Sequence, residues 1–147
     1  MANFTYSLNI VGRCTQMQRS QALKEIGVCG GQVPYLLRLC RCPGLTQEEL
    51  ARALYVNKST AARTITNLEK AGFVSRRPNP DDRRCLQLFP TQKALDALPE
   101  IRAVVHGWSD YLLEEFTEEE QEMLISMMSR VSERAQKYIQ REVGWDA

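Results

Sequence analysis

The sequence predicts a mainly α-helical protein with one small β-hairpin, and three observations support this fold class. Apolar residues recur at helical spacing of three and four along most of the chain. Thr46, Asn57 and Thr117 each stand before such a stretch, where a short polar side chain can cap a helix. Between residues 73 and 89 the pattern changes to two short alternating segments separated by a proline-rich turn. A chain of 147 residues is long enough for one compact domain, or for a small domain with helices that need a partner.

The first forty residues predict two helices. A loose apolar stripe of Phe4, Leu8, Val11 and Cys14 begins the chain and ends near Gly27. A second helix starts in the segment 30–34, because Pro34 suits an early helical turn. The side chains expected on or near its buried side are Tyr35, Leu36, Leu37, Leu39 and Cys40.

Residues 46–72 predict two short helices joined by a tight turn. Thr46 can cap the first helix while Glu49 reaches back to the amide of the capping residue. The stretch 55–57 is long enough only for a turn, Asn57 can cap the second helix, and Gly72 can end it. Two helices joined so closely must cross steeply, which is the helix-turn-helix arrangement.

The second of these helices has one apolar and one polar face. Ala61, Ala62, Ile65 and Leu68 form the predicted buried stripe. The other face carries donors that can reach base edges and phosphates in a major groove, namely Lys58, Ser59, Thr60, Arg63, Thr64, Asn67 and Lys70. An ordinary solvated helix also has a polar face, so this pattern alone leaves both interpretations open.

The segment that follows predicts a hairpin with arginines on both arms. Arg76 and Arg77 precede a turn at 78–82, and Arg83 and Arg84 follow it. The chain returns through a strand in which Leu86 and Leu88 share a face. Arginine suits a narrow minor groove, because the groove concentrates negative potential and a guanidinium sheds water more readily than an ammonium.

The formal net charge of +1 hides a segregation of charge along the chain. Between Asn57 and Cys85, seven cationic residues stand against three carboxylates. After Lys93 carboxylates dominate around the start of the last helix, where Thr117 and Glu120 complete a capping box and the helix dipole favours anions. A polyanionic duplex would therefore approach the basic segment.

The order of these parts resembles the MarR family of bacterial transcriptional regulators. The resemblance is in register over residues 45–91: Leu-Thr-Gln-Glu-Glu-Leu-Ala, then Asn-Lys-Ser-Thr-Ala-Ala-Arg-Thr-Ile-Thr-Asn-Leu-Glu-Lys-Ala-Gly-Phe-Val, then Asn-Pro-Asp-Asp-Arg-Arg and Leu-Gln-Leu-Phe-Pro-Thr. It implies a winged helix-turn-helix DNA-binding domain at 29–99 and a helical dimerisation region made from 1–28 and 100–147. The recognition helix falls on 58–71.

The family's Asp-x-Arg signature falls on Asp82 and Arg84, which implies that Arg84 enters a minor groove and that Asp82 orients or backs it. Double-stranded DNA is the implied partner, with Arg76, Arg77 and Arg83 as further wing contacts. Two residues depart from the family pattern. Pro90 replaces a strand-pairing leucine, so the returning strand is expected to end early at an edge. Cys85 stands where a small or polar residue is usual.

The chain ends are expected to form a homodimer. The last helix carries a long apolar stripe of Met123, Leu124, Met127, Met128, Val131, Ala135, Tyr138 and Ile139, which a lone terminal helix could not leave in water. An intramolecular bundle would also bury this stripe, and the resemblance favours the dimer. A twofold dimer places two recognition helices about one DNA turn apart, so the operator should be an inverted repeat.

The resemblance also implies a small aromatic or phenolic effector, bound where a helix running from Thr91 past Pro99 joins the dimer region. The candidate contacts are Tyr35, His106, Trp108 and Tyr111. A cysteine-based redox sensor of the same fold is the alternative, with Cys14 as its candidate because one branch of the family keeps a reactive cysteine in the first helix. The tyrosines that accompany that cysteine are not evident, so Cys14 is also interpreted as a small packing residue.

Other classes of function find little support in the sequence. Five cysteines, an odd number without a signal peptide, favour a reduced cytoplasmic interior, and no apolar run could cross a bilayer. Neither a phosphate-binding loop nor a nucleophile elbow is present, which argues against an enzyme, although a cysteine paired in space with His106 stays open. No metal site or other cofactor is expected from the Cys40 and Cys42 pair or from the glutamates at the last helix. A recognition helix docking onto a protein would expose apolar residues instead of Ser59, Arg63 and Asn67.

Overall fold

The computed structural model describes residues 3–145 and confirms a mainly helical chain with one hairpin. The elements are α1 (Phe4–Ala22), α2 (Val33–Arg41), α3 (Gln47–Ala53), α4 (Lys58–Lys70), β1 (Val74–Pro78), β2 (Leu86–Pro90), α5 (Gln92–Leu113) and α6 (Glu118–Glu142). Short 3₁₀ turns occupy Lys24–Ile26 and Gly30–Gln32. The chain divides into two compact units, Met1–Trp108 and Ser109–Ala147. The partition into DNA-binding and dimerisation regions stays a prediction.

One hydrophobic core holds the first unit together. Helices α2, α3 and α4, the hairpin and the first half of α5 all contribute to it, through Leu36, Leu39, Leu50, Ala61, Ile65, Leu68, Phe73, Leu88, Ala94 and Ile101. Burying each of the larger aliphatic side chains stabilises the fold by about 1.5–3 kcal/mol. The helix-turn-helix and the hairpin therefore share a single rigid base.

Helix α1 contributes no buried residue, yet its second half is fixed to the rest of the first unit. A Cβ atom built on Gly30 would lie 2.1 Å from the carbonyl oxygen of Gln16, so the two backbones approach as closely as glycine allows. The backbone N–H of Gly30 donates to Ser20 Oγ at 2.7 Å. The Trp108 indole N–H donates to Thr15 Oγ1 at 2.9 Å. The first half of α1 leaves apolar side chains such as Phe4 exposed.

The hairpin is antiparallel, with Val74 opposite Pro90 and Pro78 opposite Leu86. The expectation that the returning strand ends early at Pro90 was wrong, since β2 includes Pro90. Leu88 donates its N–H to Leu45 and accepts the N–H of Gly44, so this side of β2 faces the segment 44–46. Because N–H groups alternate in direction along a strand, the nitrogen of Pro90 also points away from β1 and no ladder bond is lost.

Leu86 and Leu88 have different environments although they lie on the same face. Leu88 is fully buried, whereas Leu86 is 44% exposed. Leu86 pairs with Pro78 at the far end of the ladder, next to the wing tip. The shared face therefore buries only the leucine that lies over the core.

The junction between α4 and β1 is fixed by the residues that open α5. Lys93 Nζ donates to the carbonyl of Ala71 at 2.7 Å, and Thr91 Oγ1 donates to the carbonyl of Gly72 at 2.6 Å. The backbone N–H of Thr91 donates to Phe73 at 3.0 Å. Three successive carbonyls at the end of α4 thus accept hydrogen bonds from one short segment. Helix α5 continues from there through Pro99, as the sequence predicts.

The second unit consists mainly of α6. Thr117 and Glu120 form the predicted capping box. Gln121 Nε2 donates to the carbonyls of Leu113 and Phe116, which closes the turn before the helix. Several apolar side chains of α6 are exposed: Met123, Leu124, Ile125, Met127 and Tyr138. Within the described residues, no helix combines the length and apolarity needed to cross a bilayer.

Candidate nucleic-acid interface

The helix-turn-helix is built from the local signals that the sequence carries. Thr46 Oγ1 accepts the N–H of Glu49, whose carboxylate accepts the N–H of Thr46 at 2.8 Å. Asn57 Oδ1 accepts the N–H of Thr60 at 2.8 Å and so caps α4. Between them Tyr55 adopts a positive φ of 55°, which turns the chain sharply, and Gly72 ends α4 with φ 83°. The Asn57 cap and Gly72 fix where α4 begins and ends, and the apolar stripe of Ala61, Ile65 and Leu68 decides which face it buries.

The outer face of α4 presents the predicted donors to solvent. Ser59, Arg63, Asn67 and Lys70 are exposed, whereas Thr60 and Thr64 are half-buried. The Thr64 hydroxyl donates to the carbonyl of Thr60 at 2.9 Å. Ser59 Oγ donates to Asn57 Oδ1 at 2.9 Å and remains available as an acceptor.

A shallow groove of about 350 Å³ runs along this face. Arg63, Asn67, Lys70 and Ala62 line it together with Thr66, a residue absent from the predicted site. The sequence-based prediction missed Thr66 because this residue directly follows the buried Ile65. The helical pattern alone does not show whether a side chain at that position reaches the exposed face. The groove is open and is lined mainly by residues with polar or charged ends, which suits recognition of base edges and phosphates more than a small apolar ligand.

Hydrogen bonds within the wing tip hold its turn in one conformation. Asp82 Oδ1 accepts the backbone N–H of Arg84 at 3.1 Å, and Asn79 Oδ1 accepts the N–H of Asp81 at 2.9 Å. The N–H of Asn79 donates to the carbonyl of Cys85 at 2.8 Å, which closes the loop. The Asp82 carboxylate therefore contacts the main chain at Arg84, and the Arg84 side chain extends from a defined turn.

The four wing arginines have three different environments. Arg76 is 24% exposed, and its guanidinium contacts Glu69 and Gln47. The guanidinium of Arg77 lies 4.3 Å from the centroid of the Phe89 ring, a cation–π contact. Arg83 and Arg84 are exposed, and neither side chain has an ion pair or hydrogen bond with another residue in the described part of the chain. The last two are available to an external anion.

Glu48 lies where α3 meets the start of α4. Its Oε1 lies 2.8 Å from Arg52 Nη2 and 3.5 Å from Lys58 Nζ. Lys58 is 80% exposed, so this contact is a solvated surface pair and leaves the ammonium accessible. Lys58, a predicted DNA contact, is therefore accessible at the first position of α4.

The predicted effector contacts lie in contrasting environments. Tyr35 is only 3% exposed within the core, His106 is exposed and Trp108 is half-buried. Tyr111 is 61% exposed and belongs to the second unit. A pocket shared by these side chains stays a prediction.

The five cysteines are all free thiols. Cys14, the redox candidate, is exposed on α1, and Cys29 and Cys85 are also exposed. Burial raises the pKa of the Cys40 thiol, and nearby Arg102 opposes part of that rise. Among the described residues, no group of three or more potential ligands from His, Cys, Asp and Glu could hold a metal ion.

Comparisons with known proteins agree with this geometry. The model of the MarR family matches residues 31–86. An HTH-type transcriptional regulator of Bacillus subtilis (strain 168), YybA, is 30% identical over 144 residues, which cover 96% of each chain. A SlyA-like transcription regulator from Listeria monocytogenes has a TM-score of 0.90 at 28% identity, covering 100% of this chain and 99% of that one.

A second Listeria monocytogenes structure, a MarR family transcriptional regulator solved with 26mer DNA, has a TM-score of 0.86. It is also 28% identical, with the same coverage of the two chains. The resemblance over residues 45–91 therefore extends to the architecture of nearly the whole chain. The chain belongs to the MarR family of transcriptional regulators.

Proposed function

We propose that this regulator binds an inverted-repeat DNA operator as a homodimer and represses transcription until a small aromatic or phenolic effector releases it. One observation carries the DNA-binding part. The exposed donors of α4 and the unpaired guanidinium groups of Arg83 and Arg84 belong to the same compact unit. A related regulator that is 28% identical was solved in complex with DNA, which supports the same activity here.

The two parts of the surface would read different features of the duplex. Helix α4 enters a major groove, where Arg63 and Asn67 can each form paired hydrogen bonds with a base edge. Lys58, Ser59, Thr60 and Thr64 would contact phosphates or the edges of neighbouring bases. Arg84 enters the adjacent minor groove, whose narrow parts attract arginine, while Arg77 and Arg83 flank it. Asp82 contributes by fixing the backbone from which Arg84 projects.

The exposed apolar side chains support the homodimer. Phe4 on α1 is 55% exposed, and Met123 and Tyr138 on α6 are each 60% exposed. Water-exposed apolar surface of this extent is costly, and a second copy would cover it. A twofold axis between the copies sets the two α4 helices about one DNA turn apart.

The effector and the compartment rest on less specific features. Half-buried Trp108 offers the aromatic surface that a phenolic compound would contact. His106 and Tyr111 lie on the same helix, and Tyr35 stays a further candidate. Free thiols throughout fit the cytoplasm, where duplex DNA is available to a bacterial regulator. If oxidation releases DNA instead, Cys14→Ser should abolish that response, and an unchanged response would clear Cys14.

Fluorescence anisotropy with the gene's own upstream DNA tests the proposal. The wild-type affinity should fall steeply with salt, because each phosphate contact releases counterions. Arg84→Ala should weaken binding at least about tenfold and reduce the logarithmic salt slope by about one for each protomer. Arg63→Ala should change base preference as well as affinity. Arg130→Ala removes an exposed arginine from α6 and is the matched control.

The outcomes separate the parts of the proposal. Sedimentation of the free protein reports the oligomeric state, and each variant should keep the wild-type value. Binding that ignores both the DNA sequence and the salt concentration would contradict a base-reading regulator. A screen of aromatic acids and phenols for release of the bound DNA tests the effector separately.

A further inference from the structure

We propose that Arg76 is a positioning residue that holds the wing against both helices of the helix-turn-helix, and that it does not contact DNA. The inference rests on the proposed DNA-binding function and revises one residue of the site predicted from sequence. Three elements meet at the guanidinium of Arg76. Arg76 belongs to β1, Gln47 opens α3, and Glu69 is the residue before the last of α4.

The contacts use different edges of the guanidinium. Arg76 Nε lies 3.2 Å from Glu69 Oε2, and Nη1 donates to Gln47 Oε1 at 3.1 Å. A planar guanidinium can satisfy two acceptors at fixed directions, whereas an ammonium offers a single centre on a flexible stem. The Arg76 side chain is 24% exposed, so water screens this cluster less than it screens the other wing arginines.

The cluster of Arg76, Glu69 and Gln47 lies where it can affect how the protein binds DNA. The donors of α4 and the guanidinium of Arg84 must reach neighbouring grooves at the same time. The angle between α4 and the hairpin decides whether both can do so, and the Arg76 cluster spans the point where the two elements diverge. Small errors in such placement weaken binding even when every contact residue is present.

The same pair also removes an unfavourable charge. Glu69 is the only carboxylate in α4, the helix that would approach the phosphates. An unpaired carboxylate there would repel DNA, and the Arg76 guanidinium neutralises it. Arg76 thus acts through Glu69 and Gln47, without a phosphate contact of its own.

Two measurements distinguish a positioning residue from a DNA contact. Hydrogen exchange of the free protein requires no DNA, and Arg76→Ala should speed exchange in residues 74–90 while the amides of α2 keep their protection. Arg76→Ala should also weaken operator binding about tenfold. In the Glu69→Gln background no carboxylate is left unpaired, so removing Arg76 there should leave the salt slope unchanged, because no phosphate contact is lost. Arg76→Lys keeps the charge and should restore less than half of that loss in free energy.

Glu69→Gln completes a double-mutant cycle. If Arg76 acts through Glu69, the effects of the two substitutions are not additive, and Glu69→Gln alone does not tighten binding. Arg141→Ala breaks the ion pair with Glu142 in α6 and is the matched control, with wild-type exchange in 74–90. Two results together would overturn the inference: unchanged exchange in the hairpin of Arg76→Ala, and a salt slope that Arg76→Ala reduces by about one per protomer in the Glu69→Gln background. If the wild-type protein binds no operator, the proposed function fails, while the exchange result still tests whether Arg76 holds the wing.

Discussion

Replacing Gly30 with alanine should destabilise the first unit severely, because the added methyl has no space. Its Cβ would lie 2.1 Å from the carbonyl oxygen of Gln16, 2.9 Å from the carbonyl carbon and 3.0 Å from the Cα of that residue. All three atoms are backbone, so no side chain can rotate away. Helix α1 must move outward by about 1 Å to restore ordinary contact.

The magnitude follows from what that movement breaks. Overpacked sites cost typically about 1–3 kcal/mol, and a clash against helix backbone belongs at the upper end. The shift would also lengthen the 2.7 Å hydrogen bond from Gly30 to Ser20. A loss of about 3 kcal/mol corresponds to a fall in Tm of roughly 6–12 °C for a chain of this size.

The neighbouring glycine is the control for this prediction. A Cβ on Gly31 has no atom within 4 Å, and its φ is not in the left-handed region. Gly31→Ala should therefore change the stability by less than about 1 kcal/mol. Thermal unfolding followed by circular dichroism, at one protein concentration for all variants, compares the two. Equal Tm values for Gly30→Ala and Gly31→Ala would refute the close approach of α1.

Two further predictions concern caps and thiols. Thr46→Ala removes the side-chain half of the capping box with Glu49 and should cost about 1 kcal/mol, measured by urea unfolding; Thr46→Ser, which keeps the hydroxyl, should cost much less. Because burial raises the pKa of Cys40, the folded state keeps its proton where the unfolded thiol has lost it, so stability should fall as pH rises from the unfolded toward the folded pKa. Unfolding measured from pH 7 to pH 10 should show that fall in the wild type and less of it in Cys40→Ala; identical pH profiles would exclude this thiol as the cause.

The elements that the sequence predicts well are those set by neighbouring residues. The capping boxes at Thr46 and Thr117 and the Asn57 cap depend on residues within three positions of one another, and the left-handed Gly72 depends on the glycine alone. The hairpin is also local, since a short proline-rich turn joins its two strands. The mistake at Pro90 came from the register of the hairpin, which the residue types alone do not give. Pro90 lies opposite Val74, so its nitrogen points away from β1 and no ladder bond is lost.

At the candidate site, contacts between residues far apart in the sequence also decide the environment of single side chains. Four wing arginines look equivalent in sequence, and only the fold separates them, because Gln47 is 29 positions before Arg76 while Phe89 stands across the hairpin from Arg77. Composition and spacing can identify a basic wing, but they cannot say which cation is already satisfied within the protein.

Whether a guanidinium is already paired within the protein decides how favourably it could bind DNA. A guanidinium held by Glu69 would have to break its contacts before binding phosphate, so part of the favourable interaction would be lost in the exchange. Arg83 and Arg84 have no such contact to break, and the turn that carries them is already closed by Asn79 and Asp82. A preformed turn with unpaired cations binds an anion at a lower entropic cost than a mobile loop. We therefore expect the wing to divide its arginines between holding the fold and meeting the duplex. The salt slope should fall with Arg84→Ala and stay unchanged when Arg76→Ala is combined with Glu69→Gln.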